Sequence, residues 1–174
     1  NNLEGLKKTL KSIKEGFKID LMIIDDGSIN KPSIGDVKEL YSNGDIYYEV
    51  LEENKGIEYA LNHGLEKILQ LDYKYIARLD TGDICHKDRF RIQLNYLNSN
   101  PDIKLLGTQV NFVSKKGEIL YISNLPNLHQ ELIKAFYINC AMIHPTVVFK
   151  TEILKTVGLY PTNYEAAEDY GFFF

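Results

Sequence analysis

The chain has 174 residues, 44% of them hydrophobic, enough to bury one sizeable core. Its formal net charge of -4 argues against nucleic-acid backbone as the main partner, and charged residues at 25% with ordinary glycine and proline use give no sign of disorder. No apolar run reaches transmembrane length, no secretory leader is visible, and Cys85 and Cys140 lack metal-ligand or redox spacing, so free packing thiols in a reducing compartment are expected.

Leu3, Leu6, Leu10 and Ile13 recur at helical spacing, with Gly16 as the expected stop. "IDLMII", residues 19 to 24, is a continuous apolar run of strand length, as a strand covered on both faces requires, and "DDGS" follows at once. A weaker helix holds Val37, Leu40 and Tyr41 and ends near Gly44. "IYYEVL", residues 46 to 51, reads as a second strand, and "ENKG" leads into a helix with Ile57, Leu61, Leu65, Ile68 and Leu69. A third strand, "YIARL", runs into "DTGD" and then a helix carrying Phe90, Leu94 and Leu97. "IKLLGTQVNFV" and "EILYIS" flank the turn "SKKG" as an antiparallel excursion. A short helix at about 129 to 137, the strand "HPTVVF", and a helix capped by Thr151 and ending at Gly158 complete the pattern.

Strands alternating with helices predict a single α/β domain with a mixed, mainly parallel sheet flanked by helices. Both ends look truncated: the chain opens inside a helix and closes on the aromatic run "GFFF".

In such a sheet, ligands bind outside the carboxyl ends of the strands, and both acid groups, Asp25-Asp26 and Asp80 with Asp83, fall at that edge. Each group could simply be a turn, since Asp and Gly favour turns, and Asp83 could cap the helix after it. Gathered at one edge, however, the acids carry a cost: two carboxylates about 4 Å apart repel by roughly 4 kcal/mol at an effective dielectric near 20. The edge therefore calls for a cation or for ligand donors such as ribose hydroxyls and a base N–H. Mg2+ or Mn2+ suits oxygen ligands and usually bridges to phosphates.

"IIDDGS", "ENKGIEYALNHGLE", "YIARLDTGDICHKDRFRIQ" and "IHPTVVFKTEILKTVGLY" with "AAEDY" resemble, in order and spacing, the family 2 glycosyltransferases. Those are inverting enzymes of the GT-A (Rossmann-like) fold that use nucleotide-diphospho-sugar donors. The resemblance implies a first strand just before Asn1 or Asn2, a nucleotide-binding part at about 1 to 83, and an acceptor-side part at about 84 to 174. Asp26 would accept a hydrogen bond from the donor's base with Asp25 nearby. The Asn54–Gly56 turn, with Lys55 and Gly56, would pass near the ribose and diphosphate. Arg78 would reach phosphate or pair with a neighbouring acid, and Asp80 would face the donor. Asp80 and Asp83 would hold Mn2+ or Mg2+, but Gly82 stands where the family's Asp-x-Asp-Asp signature has its middle acid. Either the two acids carry the metal between them or metal binding is weakened.

Asp169 falls where the family keeps its catalytic base, with Glu168 orienting the loop or the acceptor. His144 is expected to position the acceptor loop or satisfy backbone groups. Lys87, Asp88, Arg89 and Arg91 read as a solvated helix start with local ion pairs. The implied partners are a UDP-type sugar donor and a glycan or lipid-linked acceptor in surface polysaccharide synthesis. The implied location is cytoplasmic, at the inner face of a membrane reached through further segments. A Mg2+-binding signalling receiver and an inactive sugar-nucleotide-binding module are the competing readings.

Overall fold

The structure, a computed structural model, describes residues 2–164 and 166–174; the expectation attached to Asn1 lies outside them. Helix α1 (Leu3–Ser12) starts at Asn2, whose side chain accepts the Gly5 N–H at 2.9 Å, and buries Leu10. It ends at Ser12, four residues before Gly16. The continuous apolar run becomes strand β1 (Leu21–Asp25), paired in parallel with β2 (Ile46–Val50) from Leu21 opposite Ile46 to Asp25 opposite Val50. Between them, α2 (Ile34–Leu40) opens with a reciprocal cap: the Ser33 hydroxyl accepts from Asp36 N, and the Asp36 carboxylate accepts from Ser33 N. It stops before Gly44 because Tyr41 turns extended and donates its buried hydroxyl to the Ile19 carbonyl at 2.6 Å.

Helix α3 (Ile57–Ile68) packs on β1 and leads to β3 (Tyr75–Ala77). β3 does not extend the β1–β2 sheet. It pairs antiparallel with β7 (Val148–Lys150), which also pairs antiparallel with β4 (Leu105–Leu106). The fold is thus α/β with parallel and antiparallel pairing, as expected, but in separate sheets. An apolar cavity of about 490 Å³ lies between β1 and β3, lined by Leu21, Ile23, Ile76 and Ala77 and by Leu10 and Leu65 from α1 and α3. Arg78 and Asp80 also line it.

After α4 (Arg89–Ser99), the single strand expected at 103 to 113 divides: Leu105 and Leu106 join β7, while β5 (Asn111–Val113) pairs with β6 (Ile119–Ile122) as an exposed hairpin. Helix α5 (His129–Phe136) follows. The segment at His144–Thr146 is a 3-10 turn rather than strand, since Pro145 has no N–H to give a ladder. Thr151 does not cap the next helix, α6 (Leu154–Val157). Its hydroxyl is buried without a hydrogen-bond partner, and the backbone passes first through a 3-10 turn. Gly158 does end that helix, and α7 (Glu168–Phe173) closes the described chain.

Two apolar clusters hold these elements. One gathers Leu10, Val37, Tyr41, Phe90, Leu97 and Val148; the other gathers Leu65, Ile76, Phe149, Tyr160 and Phe172. Because β7 contributes to both, its fully buried Val148 and Phe149 fix the height of β3 and of the acid turn beyond it.

Candidate active site

The acids after β1 are braced by the neighbouring loop. Asp25 accepts the Ser28 N–H at 2.7 Å and the Tyr48 hydroxyl of β2 at 3.2 Å. Burial pushes its carboxyl pKa up, but those hydrogen bonds outweigh it and hold the group below the ordinary carboxylate range. In turn, burial and then the Asp25 charge raise Tyr48 to about 12. Asp26 uses one oxygen for the Lys55 N–H at 2.9 Å and the other for the Gly56 N–H at 3.1 Å. A carboxylate oxygen has two lone pairs, so each keeps one acceptor position. Gly27 lets the loops meet: at φ +68, a Cβ there would lie 2.5 Å from the Asn54 nitrogen and from the Glu53 carbonyl carbon. Residues 25 to 28 and 53 to 56 thus form one unit, with the exposed Lys55 ammonium 3.6 Å from Glu53.

The second acid turn is tied to α1. Asp83 N donates to the Asp80 carbonyl at 3.1 Å, closing the turn over Gly82, whose φ is +111. An L-residue is strained at that φ, so the glycine that displaces the middle acid also sets the turn's path. The buried Thr9 hydroxyl accepts the Gly82 N–H at 2.9 Å and donates to the Asp83 carbonyl at 2.8 Å. One turn on, Ser12 accepts the Cys85 N–H at 3.0 Å, and beyond the helix Glu15 accepts the Phe90 and Arg91 N–H groups at 2.8 and 3.2 Å.

Arg78 pairs with the Asp80 carboxylate, and its Nε is buried without a partner. Asp83 keeps an exposed edge, yet it is crowded enough that desolvation, then the Asp80 charge, raise its pKa. Arg89 departs from the expected solvated helix start. Its guanidinium turns inward to the Arg78 and Pro145 carbonyls at 2.8 and 2.9 Å, because two carbonyls left by the β3 and Pro145 bends need donors. Arg91 and Asp88 do form the expected surface pair at 3.1 Å.

Asp169 lies in the first turn of α7, next to Glu168, which enters a buried polar seam. Its Oδ1 accepts the Tyr170 N–H at 2.7 Å, and the Cys140 thiol lies 3.8 Å from its Oδ2. Burial, with Asp169 adding to it, raises the Cys140 thiol pKa. Glu168 is buried, 3.9 Å from His144 Nδ1, and His144 Nε2 is 2.8 Å from the Tyr160 hydroxyl. Burial, then the Arg78 charge, drives His144 down to about 4, so the imidazole is neutral near pH 7. The charges of both Asp80 and Asp169 are felt at His144 and Tyr160, so this buried pair lies within electrostatic reach of both acids. Of the two roles expected for His144, its ring thus meets side chains, Tyr160 and Glu168, rather than backbone groups.

Asn62 on α3 clamps Tyr160 by exchanging hydrogen bonds with its backbone, each at 2.8 Å. The sequence offered one signal for Asn62, an amide on the helix face that carries Leu61 and Leu65. Thr9, Ser12 and Glu15 gave none, for their partners lie more than 70 residues away.

Among the described residues, no three His, Cys, Asp or Glu side chains gather as a metal-ligand group. Mg2+-type ions often take only one or two protein carboxylates and complete their shell with water and substrate phosphate. Asp80, already paired with Arg78, and the crowded Asp83 are therefore too few to hold such an ion by protein alone and would need a ligand's oxygens to complete the shell.

The profile of glycosyl transferase family 2 matches residues 1–158. The chain is 30% identical over 207 residues to the bifunctional glycosyltransferase pgtA of Dictyostelium discoideum, covering 98% of this chain and 27% of that protein. It is 30% identical over 154 residues to an Escherichia coli UDP-Gal:alpha-D-GlcNAc-diphosphoundecaprenol beta-1,3-galactosyltransferase, covering 87% and 54%. To the amylovoran biosynthesis glycosyltransferase AmsE of Erwinia amylovora it is 28% identical over 170 residues, covering 96% and 62%. The chain thus spans between about a quarter and two thirds of these relatives' lengths. The match sets aside the signalling-receiver reading.

Proposed function

The chain belongs to glycosyltransferase family 2, and on that premise we propose that it moves a sugar, with inversion, from a nucleotide diphosphate donor to a glycan or lipid-linked acceptor. The observation that carries this reading is a pair of braced acid loops, Asp25-Asp26 and Asp80 to Asp83, with a further acid, Asp169, whose charge, like that of Asp80, reaches the neutral His144–Tyr160 pair. In-line displacement needs the leaving diphosphate and the attacking hydroxyl on opposite faces of the sugar, and in this reading the acid loops serve the first and Asp169 the second.

In this reading the nucleoside rests on the remaining acceptor positions of Asp25 and Asp26, beside Lys55 and Gly56. Arg78, paired with Asp80, would add positive charge near the phosphates. A divalent ion, when bound, offsets charge on the departing diphosphate; Asp80 and Asp83 would hold it. Asp169 takes the proton of the acceptor hydroxyl as that oxygen forms its bond to the anomeric carbon and the bond to the donor phosphate oxygen breaks. The neutral His144 does not compete for that proton, and Glu168 beside it orients the start of α7.

The likeness to the galactosyltransferase favours a UDP-sugar and a lipid-linked acceptor, and that to the amylovoran enzyme favours surface polysaccharide synthesis, at the cytoplasmic face of a membrane. No helix among the described residues is long and apolar enough to cross a membrane, and in this reading membrane contact comes through further segments. Gly82 favours a second reading, a sugar-nucleotide-binding module without turnover.

Calorimetry with UDP and GDP, with and without Mn2+, combined with a turnover assay and the product's anomeric configuration, separates the readings. Mn2+-enhanced binding of UDP and an inverted product are expected. Tight binding without turnover in the full-length protein would favour the inactive module, and a retained configuration would defeat the mechanism.

A further inference from the structure

Thr9 is a buried hydroxyl on the face of α1 that also carries Ser12, and it both donates to and accepts from one turn. It accepts from Gly82 N at 2.9 Å and donates to the Asp83 carbonyl at 2.8 Å, with the Asp80 carbonyl also within 3.4 Å. The backbone of the turn is thereby held at its start, middle and end by a single side chain from α1. No charge is placed there, so the contact fixes the carboxylates' attachment points without competing for a cation.

We propose that Thr9 is a positioning residue that sets the spacing of the Asp80 and Asp83 carboxylates for divalent-ion-assisted binding of a nucleoside diphosphate. This rests on the transferase reading above. Two features make the requirement strict. Gly82 is free of a side chain and conformationally permissive, so the turn lacks the internal restraint a larger residue would give. Asp80 and Asp83 are also like charges on one short turn, whose ends are joined by the bond from the Asp83 N–H to the Asp80 carbonyl. Without the Thr9 clamp the turn relaxes by moving the acids apart, and an ion that shares its shell between two carboxylates and a diphosphate loses one of them. Ser12, the next contact along α1, holds Cys85 N and so anchors only the exit of the turn.

The test uses Thr9→Val, which keeps the shape and removes both hydrogen bonds, and Thr9→Ser, which keeps them. UDP affinity is measured for each with and without Mn2+. Thr9→Val should lose about ten- to a hundredfold of the Mn2+ enhancement, the range expected when a group orienting metal ligands is removed. Its metal-free UDP affinity should stay at the parent's value, and Thr9→Ser should restore the enhancement. If Thr9→Val does not fold, Thr9→Ala carries the same comparison. A folded Thr9→Val with the parent's enhancement overturns the positioning role while leaving the transferase reading intact. A parent that binds no nucleotide under either condition overturns both.

Discussion

The donor-side acids of the proposed site and its acceptor-side acid are held by different means. Asp26 takes two backbone N–H groups from a loop about 30 residues on, and the Asp80–Asp83 turn is held by Thr9 from more than 70 residues away. Asp169, in contrast, accepts from the amide next to it and faces a thiol at 3.8 Å, on a helix of six residues. On the proposed reading, the loops that would receive a large, polyanionic nucleotide have backbones already held by hydrogen bonds. The carboxylate that would receive a proton has fewer fixed partners, so its lone pairs remain available for chemistry. Braced loops would then bind and the lightly held group would react, and each of the following experiments presses on that division.

The largest effect should come from Asp169→Asn in full-length protein. The change keeps size and removes the base, so turnover should fall by roughly two to four orders of magnitude while donor affinity holds. Turnover near the parent's value would erase the contrast and move the base elsewhere.

The polar seam should show itself through acid. His144 has a folded pKa of about 4 against an ordinary 6.5, so below pH 6.5 the unfolded chain binds a proton that the folded chain refuses. Stability is therefore whole above about pH 6.5 and declines as pH falls toward 4, by up to about 3 kcal/mol from this group. Urea unfolding at pH 7 and pH 4.5 should give a steeper loss for the parent than for His144→Gln, and equal losses would take His144 out of the seam.

A smaller change is expected from Asp26→Ala. Freed N–H groups at the partly exposed Lys55 and Gly56 should cost about 1–2 kcal/mol in thermal or urea unfolding, alongside weaker UDP binding. If UDP affinity is unchanged in a folded Asp26→Ala, the carboxylate serves only as the loop's brace.

Asp83→Asn should have the slightest effect on stability, and in the opposite direction. The carboxyl is raised by crowding and by Asp80, so neutralising it removes a repulsion and should lift the melting temperature a little near pH 7. The same change should lower Mn2+-enhanced UDP binding. A lower melting temperature would mean that Asp83 stabilises the turn through a contact of its charge.

Much of the scaffold could be read from periodicity: the β1 run, the amphipathic helices and the hairpin around "SKKG" all follow local patterns that burial imposes. What escaped were relations across the chain. The pairing of β3 with β7 depends on residues 148 to 150, and the inward turn of Arg89 depends on the carbonyl of Pro145, neither visible from the local stretch. The acids were legible because a carboxylate pair at a strand's exit is costly and local. Thr9 was not, since a threonine in a helix reads the same whether its hydroxyl meets water or a distant turn. Thr151 failed in the reverse sense: its position suits a cap, but it is itself the first residue of a 3-10 turn, which leaves its hydroxyl unused.

The exposed hairpin has a colloidal consequence. β6 presents Ile119, Leu120, Tyr121 and Ile122 at 56–65% exposure, an uninterrupted run of strand-forming side chains on a ribbon with open edges. Such a run is a template for fibril-like stacking between copies, and Lys115, Lys116 and Glu118 stand beside it as gatekeepers. Gatekeeping by charge works only within the Debye length, which shrinks to about 3 Å at 1 M salt. For the isolated domain, concentrated salt therefore removes the guard from its most adhesive strand, and dilute buffer keeps it in place.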